Sequence, residues 1–245
     1  MRLSKAWLVA ARDFKIFRHQ KSMLYALLIF PVIISIIPFG ILQFAINRDP
    51  PLPAAGIPSI LDAFSIFLIL GSAFVPLGIA GYTIVGEKIE KSLEPLLAGP
   101  LTDGEILLGK TISAVLPALI AMYTGGVIFM VGTDVVAYPL LNYYYFPNWT
   151  IAIILFIGMP AATIMSVEFG VIVSSRVNDV RSATNFGVLM FFPFLIIYIL
   201  GQTNLITLDT ETILKISVIL LVIDVLLYFI STALFQREEI LTQWK

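Results

Sequence analysis

Six long apolar runs, each near the roughly 20 residues that cross a bilayer as a helix, alternate along this chain with short polar segments. They cover Met23–Ile46, Ser59–Val85, Thr111–Val131, Thr150–Ser174, Thr184–Leu200 and Ile213–Leu234. The fifth is the shortest. Polar or mixed segments separate them at 47–58, 86–110, 132–149, 175–183 and 201–212, and residues 235–245 form a tail. The pattern predicts an all-α integral membrane protein, one domain over 1–245, with a six-span bundle at 23–234.

Ahead of the first span the period changes. Leu3, Trp7, Ala11, Phe14 and Phe17 recur at helical spacing, and Arg2, Lys5, Arg12, Lys15 and His19 fill much of the rest. This predicts a basic amphipathic helix over 1–22 lying in the headgroup region, with Trp7 as its interfacial anchor.

The longest charged interruption is Gly86–Lys110, carrying Glu87, Lys88, Glu90, Lys91, Glu94, Asp103, Glu105 and Lys110. Within it Leu93, Leu96 and Leu97 lie three and four apart, after Ser92 and before Pro100. A short helix there has one apolar and one ionic face. The expected role is a cytoplasmic helix that another protein touches.

Composition agrees with a membrane protein: 59% of residues are hydrophobic, 13% are charged, and the mean hydropathy is +0.97. Soluble domains run at about a quarter charged. The pI of 5.8 and net charge of −1 argue against nucleic-acid binding. Without cysteine there is no disulfide, Cys-ligated metal or thiol nucleophile, and the single histidine, His19, removes a multi-His metal site. The first 22 residues are too charged, and the following apolar run too long, for a removable signal peptide.

Orientation follows from the basic residues. The N-terminus through Lys21, the 86–110 segment, the 175–183 loop and the tail hold all of the 15 Lys and Arg except Arg48 and Lys215. The positive-inside rule places those four segments, and so both termini, in the cytoplasm. On the outer side, Tyr138, Tyr143, Tyr144, Tyr145 and Trp149 read as an interfacial aromatic belt. Asn148-Trp149-Thr150 matches a glycosylation sequon but lies against a span and carries no weight. Five of the six spans contain proline: Pro31 with Pro38, Pro76, Pro117, Pro160 and Pro193. These predict kinks, which a bundle tolerates.

Gly104 to Thr111 satisfies the P-loop pattern letter for letter, and Ile219 to Asp224 resembles the apolar run with an Asp that holds magnesium. A P-loop needs a preceding buried strand and amides curled around phosphate. Here a turn and a helix cap precede it, so the nucleotide-binding reading is declined. There is no His-Glu-x-x-His motif, and one histidine allows no conventional Ser-His pair, so no catalytic residues are expected.

Glu168 and Asp224 are the carboxylates deep in apolar sequence. Either they form an ion- or substrate-binding pair on a translocation route, or they are protonated or hydrogen-bonded carboxyls that hold helices together with Thr163, Ser166, Ser231 or Thr232. Asp62, near the start of the second span, is accounted for by a role at the helix N-terminus.

Glu87-Lys88, then Ser92-Leu93-Glu94-x-Leu96-Leu97-x-x-Pro100, then Glu105-Ile106 and Gly109-Lys110 resemble the cytoplasmic signature of ABC-2 type permeases, the six-span membrane subunits of ABC exporters. Lys91-Ser92 stands where Gly-Thr is common in that signature. The resemblance covers the whole chain: basic leading helix, six spans, and signature between spans two and three. It implies a permease in the cell membrane, paired with a second permease subunit as a homo- or heterodimer, above two copies of a separate ATP-binding subunit. ATP and Mg would be held by that partner, and no cofactor by this chain. It implies that Glu87, Lys91, Leu93, Glu94, Leu96 and Leu97 contact or orient the ATPase, with Arg176, Asp179 and Arg181 as a secondary contact.

The rival reading is an ion-coupled secondary transporter or channel using Glu168 and Asp224. It predicts internal repeats and discontinuous helices at the midplane, and residues 23–131 and 150–234 show no clear duplication. A third reading is a membrane anchor in an ABC machine that does not transport. With little chain outside the bilayer, recognition within it or at its faces favours amphipathic or lipid-like cargo.

Overall fold

The computed structural model describes residues 3–19, 21–49, 53–89, 96, 99–177, 179–203 and 205–234. Among these the fold is all-helical, and six stretches are long and apolar enough to cross a membrane: Leu27–Asn47, Ala54–Glu87, Asp103–Leu141, Trp149–Arg176, Arg181–Gly201 and Thr210–Leu234. The leading helix α1 (Leu3–His19) is followed by α2 (Lys21–Asn47), which forms the first span.

The second span is not one helix. It comprises α3 (Ile57–Phe74) and α4 (Leu77–Ile89), interrupted at Val75-Pro76. Proline lacks the amide that would continue the ladder, and its ring crowds the preceding turn. The third span is the opposite case. α5 runs unbroken over the 39 residues Asp103–Leu141, so ten residues expected in the outer loop are helical. Thr102 and Glu105 start it with a reciprocal capping box: the Glu105 amide donates to Thr102 Oγ1 at 3.3 Å and the Thr102 amide to Glu105 Oε2 at 3.1 Å. Asn142, at φ 60°, ends it in the left-handed conformation that asparagine tolerates.

The fourth span consists of α6 (Trp149–Ile153), one π turn at Ile154–Gly158, and α7 (Met159–Arg176). Asn148 caps α6, accepting from the Ile151 amide at 2.8 Å. The fifth is split into α8 (Val180–Val188) and α9 (Phe191–Gln202) just before Pro193. α10 (Thr210–Leu234) is the sixth, capped by Asp209, which accepts from the Thr212 amide at 3.0 Å.

Burial orders the bundle. The second and fourth spans are the most enclosed, while α2, the fifth span and α10 turn large apolar residues such as Ile33, Phe44, Ile196, Val222 and Phe229 outward. α7 touches α3, α4, α5 and α10, which makes it the central helix. Small residues allow this closeness, as is usual where packing rather than water exclusion joins helices. At Gly170 of α7 an added Cβ would lie 2.5 Å from the Ala80 Cβ of α4. On the side of the bundle where α6 begins, Asp134 of α5 gathers the loop after it, accepting from the Tyr145 amide at 3.1 Å and the Phe146 amide at 3.2 Å.

Candidate functional site

Two groups of buried charges stand out, built in different ways. The first lies where α1, α4 and α5 meet. The inward side of α1 reads Ala6, Val9, Ala10, Asp13 and Phe17, a stripe at helical spacing. It shares Phe17 with the apolar face expected there, of which Leu3 and Trp7 are instead exposed, as is the neighbouring Leu8. The small residues bring α1 against Gly109, where a Cβ would sit 2.7 Å from the Ala6 carbonyl oxygen. The next residue, Lys110, is 0% exposed.

Its ammonium meets two carboxylates. Lys110 Nζ lies 2.9 Å from Glu87 Oε2 and 3.7 Å from Asp13 Oδ2. Arg12 Nη2 donates to Asp13 Oδ1 at 3.0 Å and also to Glu87 Oε1. Ser113 Oγ is within reach of Asp13 Oδ2 at 3.3 Å and the Lys110 carbonyl at 2.8 Å. Two acids and two bases make a neutral, ion-paired cluster, the form in which buried charge is tolerated. The sequence pattern did not single out Arg12 or Asp13 as site residues. The available signal was Asp13, the one acid within residues 2–21, on the same face as Ala6 and Ala10.

Two residues of the expected contact set are described here. Glu87 is buried in the ion cluster, where its carboxylate meets Lys110 of α5 and Arg12 of α1. Leu96 is 8% exposed and packs in a cluster with Val9, Ile84, Ile106 and Val167. Lys91, Leu93, Glu94 and Leu97 lie outside the described residues. At the same end of the bundle, Arg176 and Arg181 are exposed, and Asp179 caps α8 by accepting from the Arg181 amide at 2.8 Å and the Ser182 amide at 3.1 Å. The Ser182 hydroxyl and these amides hold the Asp179 carboxyl below the usual carboxylate range. The Gly104–Thr111 octet lies inside α5, with its lysine in the ion cluster, and so has no phosphate-cradling loop.

The second group is the pair Glu168 on α7 and Asp224 on α10. They are 5% and 7% exposed, on two helices that pack against each other. Glu168 Oε2 and both Asp224 oxygens have no hydrogen-bond partner among the described residues. Two expected partners are turned elsewhere: Ser166 donates to the Ala73 carbonyl at 2.5 Å and Thr232 to the Phe229 carbonyl at 2.9 Å. A charge at a helix centre costs about 2.5–3.5 kcal/mol on insertion scales, and here no donor offsets it. One helical turn away is an apolar cavity of 260 Å³ between α7, α9 and α10. Asp62 lies beyond the first turn of α3 and instead accepts a 3.4 Å hydrogen bond from the Asn148 side chain. Among the described residues no group of three or more metal-ligating side chains occurs.

No protein-family model matches the chain, and no curated protein matches it.

Proposed function

We propose that this chain is the membrane subunit of an ATP-driven exporter of the ABC-2 type, working as a dimer on separate ATP-binding subunits that hold ATP and Mg. The observation that carries the reading is the ion cluster. α4 ends and α5 begins on either side of residues 90–102, and Arg12, Asp13, Glu87 and Lys110 tie both of those ends to α1. A push on the connecting segment is thereby delivered to three helices at once. The signature residues Lys91, Leu93, Glu94 and Leu97 fall in that segment. With the basic segments on the cytoplasmic side, the segment faces the ATPase, and the exposed Leu3, Trp7 and Leu8 of α1 lie in the headgroup layer.

The test is mild purification of the tagged chain from its native membrane, with ATPase activity and mass spectrometry of whatever accompanies it. We expect a stoichiometric ATP-binding subunit, lost in the charge-reversed variant Lys91→Glu/Glu94→Lys while the chain itself stays folded. A chain that comes alone under conditions that preserve other membrane complexes would overturn the proposal.

The ion-coupled reading has one observation in its favour. The breaks in the second and fifth spans adjoin, since Gly187, just before one, packs on Leu77, just after the other. Discontinuous helices meeting inside the bilayer are where such transporters bind ions. Uptake or efflux driven by a proton or sodium gradient in vesicles without ATP would select that reading.

A further inference from the structure

The half of the fifth span beyond its break, α9, is held unevenly. Pro193 removes the amide that would bond the Leu189 carbonyl, and that oxygen accepts instead from the Phe192 amide at 3.3 Å. Just before it, the Leu189 and Met190 amides donate to the Phe186 and Gly187 carbonyls at 3.1 and 2.9 Å. Bonds that reach back three residues thus join α8 to α9, and three-residue turns inside a helical run mark hinges. On one side α9 packs on α3, with Phe191 against Phe74 at 5.6 Å between ring centroids and Tyr198 against Phe67 at 4.6 Å. On the other side the 260 Å³ cavity intervenes, with Pro193, Phe194 and Ile197 on the α9 wall and Met165, Ile216 and Leu220 facing them.

The frame around α9 is tighter. Ser166 of α7 donates to the Ala73 carbonyl at the Pro76 break, which fixes the end of α3. At Gly158, an added Cβ would lie 3.0 Å from Ile69 of α3 and 3.1 Å from Ser217 of α10, so those helices are already in close contact. We infer that α9 is a hinged lateral gate, which swings about Leu189-Met190 on its aromatic contacts with α3 and closes the cavity against α7 and α10. The break supplies the hinge and the cavity the room. Both walls are apolar, and atoms lining a void lack partners that closure restores. A gap of this size also exceeds those that packed interiors leave. It lies beside Ile196 of α9 and Ile219 of α10, both exposed on the lipid-facing side, so the swing opens or seals the bundle towards the bilayer. The gate goes beyond the exporter reading and is built from this chain's residues alone.

The chain has no cysteine, so spin labels can be placed at chosen positions. One label goes at the exposed Ile199 of α9, and the second at Phe44 of α2 or, separately, at Val127 of α5, in the full-length chain in nanodiscs. A swing of ~15° displaces Ile199, roughly 15 Å along the helix from the hinge, by about 4 Å. We expect two distance populations separated by a shift of that order in at least one α9 pair, and one population for the reference pair Phe44–Val127. Leu220→Trp, which fills the cavity, should remove the closed population. Pro193→Ala, which restores the amide to the ladder, should likewise leave a single population. Size exclusion and melting profiles identify a variant that has failed to fold, and the other then stands in for it. A single population in both α9 pairs overturns the inference, and leaves the cavity as a fixed seat for a lipid chain. Equal splitting in the reference pair, or splitting untouched by the folded variants, overturns it as well. None of these results bears on whether an ATPase accompanies the chain, so the two proposals fail separately.

Discussion

The α1–α4–α5 cluster and the α7–α10 pair place charge at similar burial but finish it differently. Around Lys110, each carboxylate has two cationic neighbours, and Ser113 adds a hydroxyl. Around Asp224 there is no donor among the described residues. A neutral, ion-paired network ties three helices together, whereas an unpaired buried acid bears its desolvation cost without an offsetting partner. The same residue types are thus ion-paired in one place and unpaired in the other. What separates them is whether the opposite charge is built into the chain.

That contrast can be broken by substitution. The largest effect is expected for Lys110→Met, which leaves Asp13 and Glu87 facing one another with Arg12 alone. Removing one partner of a buried pair costs about 3–5 kcal/mol, which should show as a large fall in melting temperature or loss of monodisperse protein. A melting temperature close to wild type would mean the cluster holds nothing. Next is Gly109→Val, which forces α1 away from α5 at a cost of about 1–3 kcal/mol. A cysteine at the buried position of Val9 should then label faster with a membrane-impermeant maleimide, and unchanged labelling would show that α1 is held elsewhere.

The opposite sign is expected at the open pair. Asp224→Val removes a buried carboxyl that has no hydrogen-bond partner among the described residues and should raise stability by about 1–3 kcal/mol. A fall in melting temperature would reveal a partner for Asp224 and erase the contrast. The smallest effect is expected for Thr102→Ala, where loss of the capping box at the start of α5 costs about 1 kcal/mol. Hydrogen exchange should localise it to the first turn of α5 and leave α7 and α10 untouched.

The number and order of the spans were legible in the sequence because bilayer thickness imposes a length on each apolar run. Their continuity was not. Pro76 and Pro193 accompany breaks, yet Pro117 and Pro139 sit inside the unbroken α5. Whether neighbours re-satisfy the freed carbonyl is a tertiary matter, invisible to the residue type. The excess length of α5 was hidden for another reason: its polar ends, with Asp103, Glu105 and Asp134, read as loop. Glu168 and Asp224 were legible individually, from charge inside apolar sequence. Their adjacency and lack of donors depend on how α7 meets α10. Asp13 was the least legible, since an acid in a basic helix looks solvated until Lys110 is found opposite.

The length of α5 has a mechanical meaning. At 39 residues it is a rod of about 58 Å, twice the hydrocarbon thickness, anchored near its start through Lys110 and near its end through Asp134. Such a rod makes the two wet ends of the protein one lever: a tilt of ~5° about one end sweeps the other through about 5 Å. Spin labels at Thr102 and Leu140 should therefore keep one separation in any conformation in which the distance from each to α9 differs. The aromatic loop that Asp134 gathers would then travel with the opposite face of the membrane, with no signal passing through the residues between.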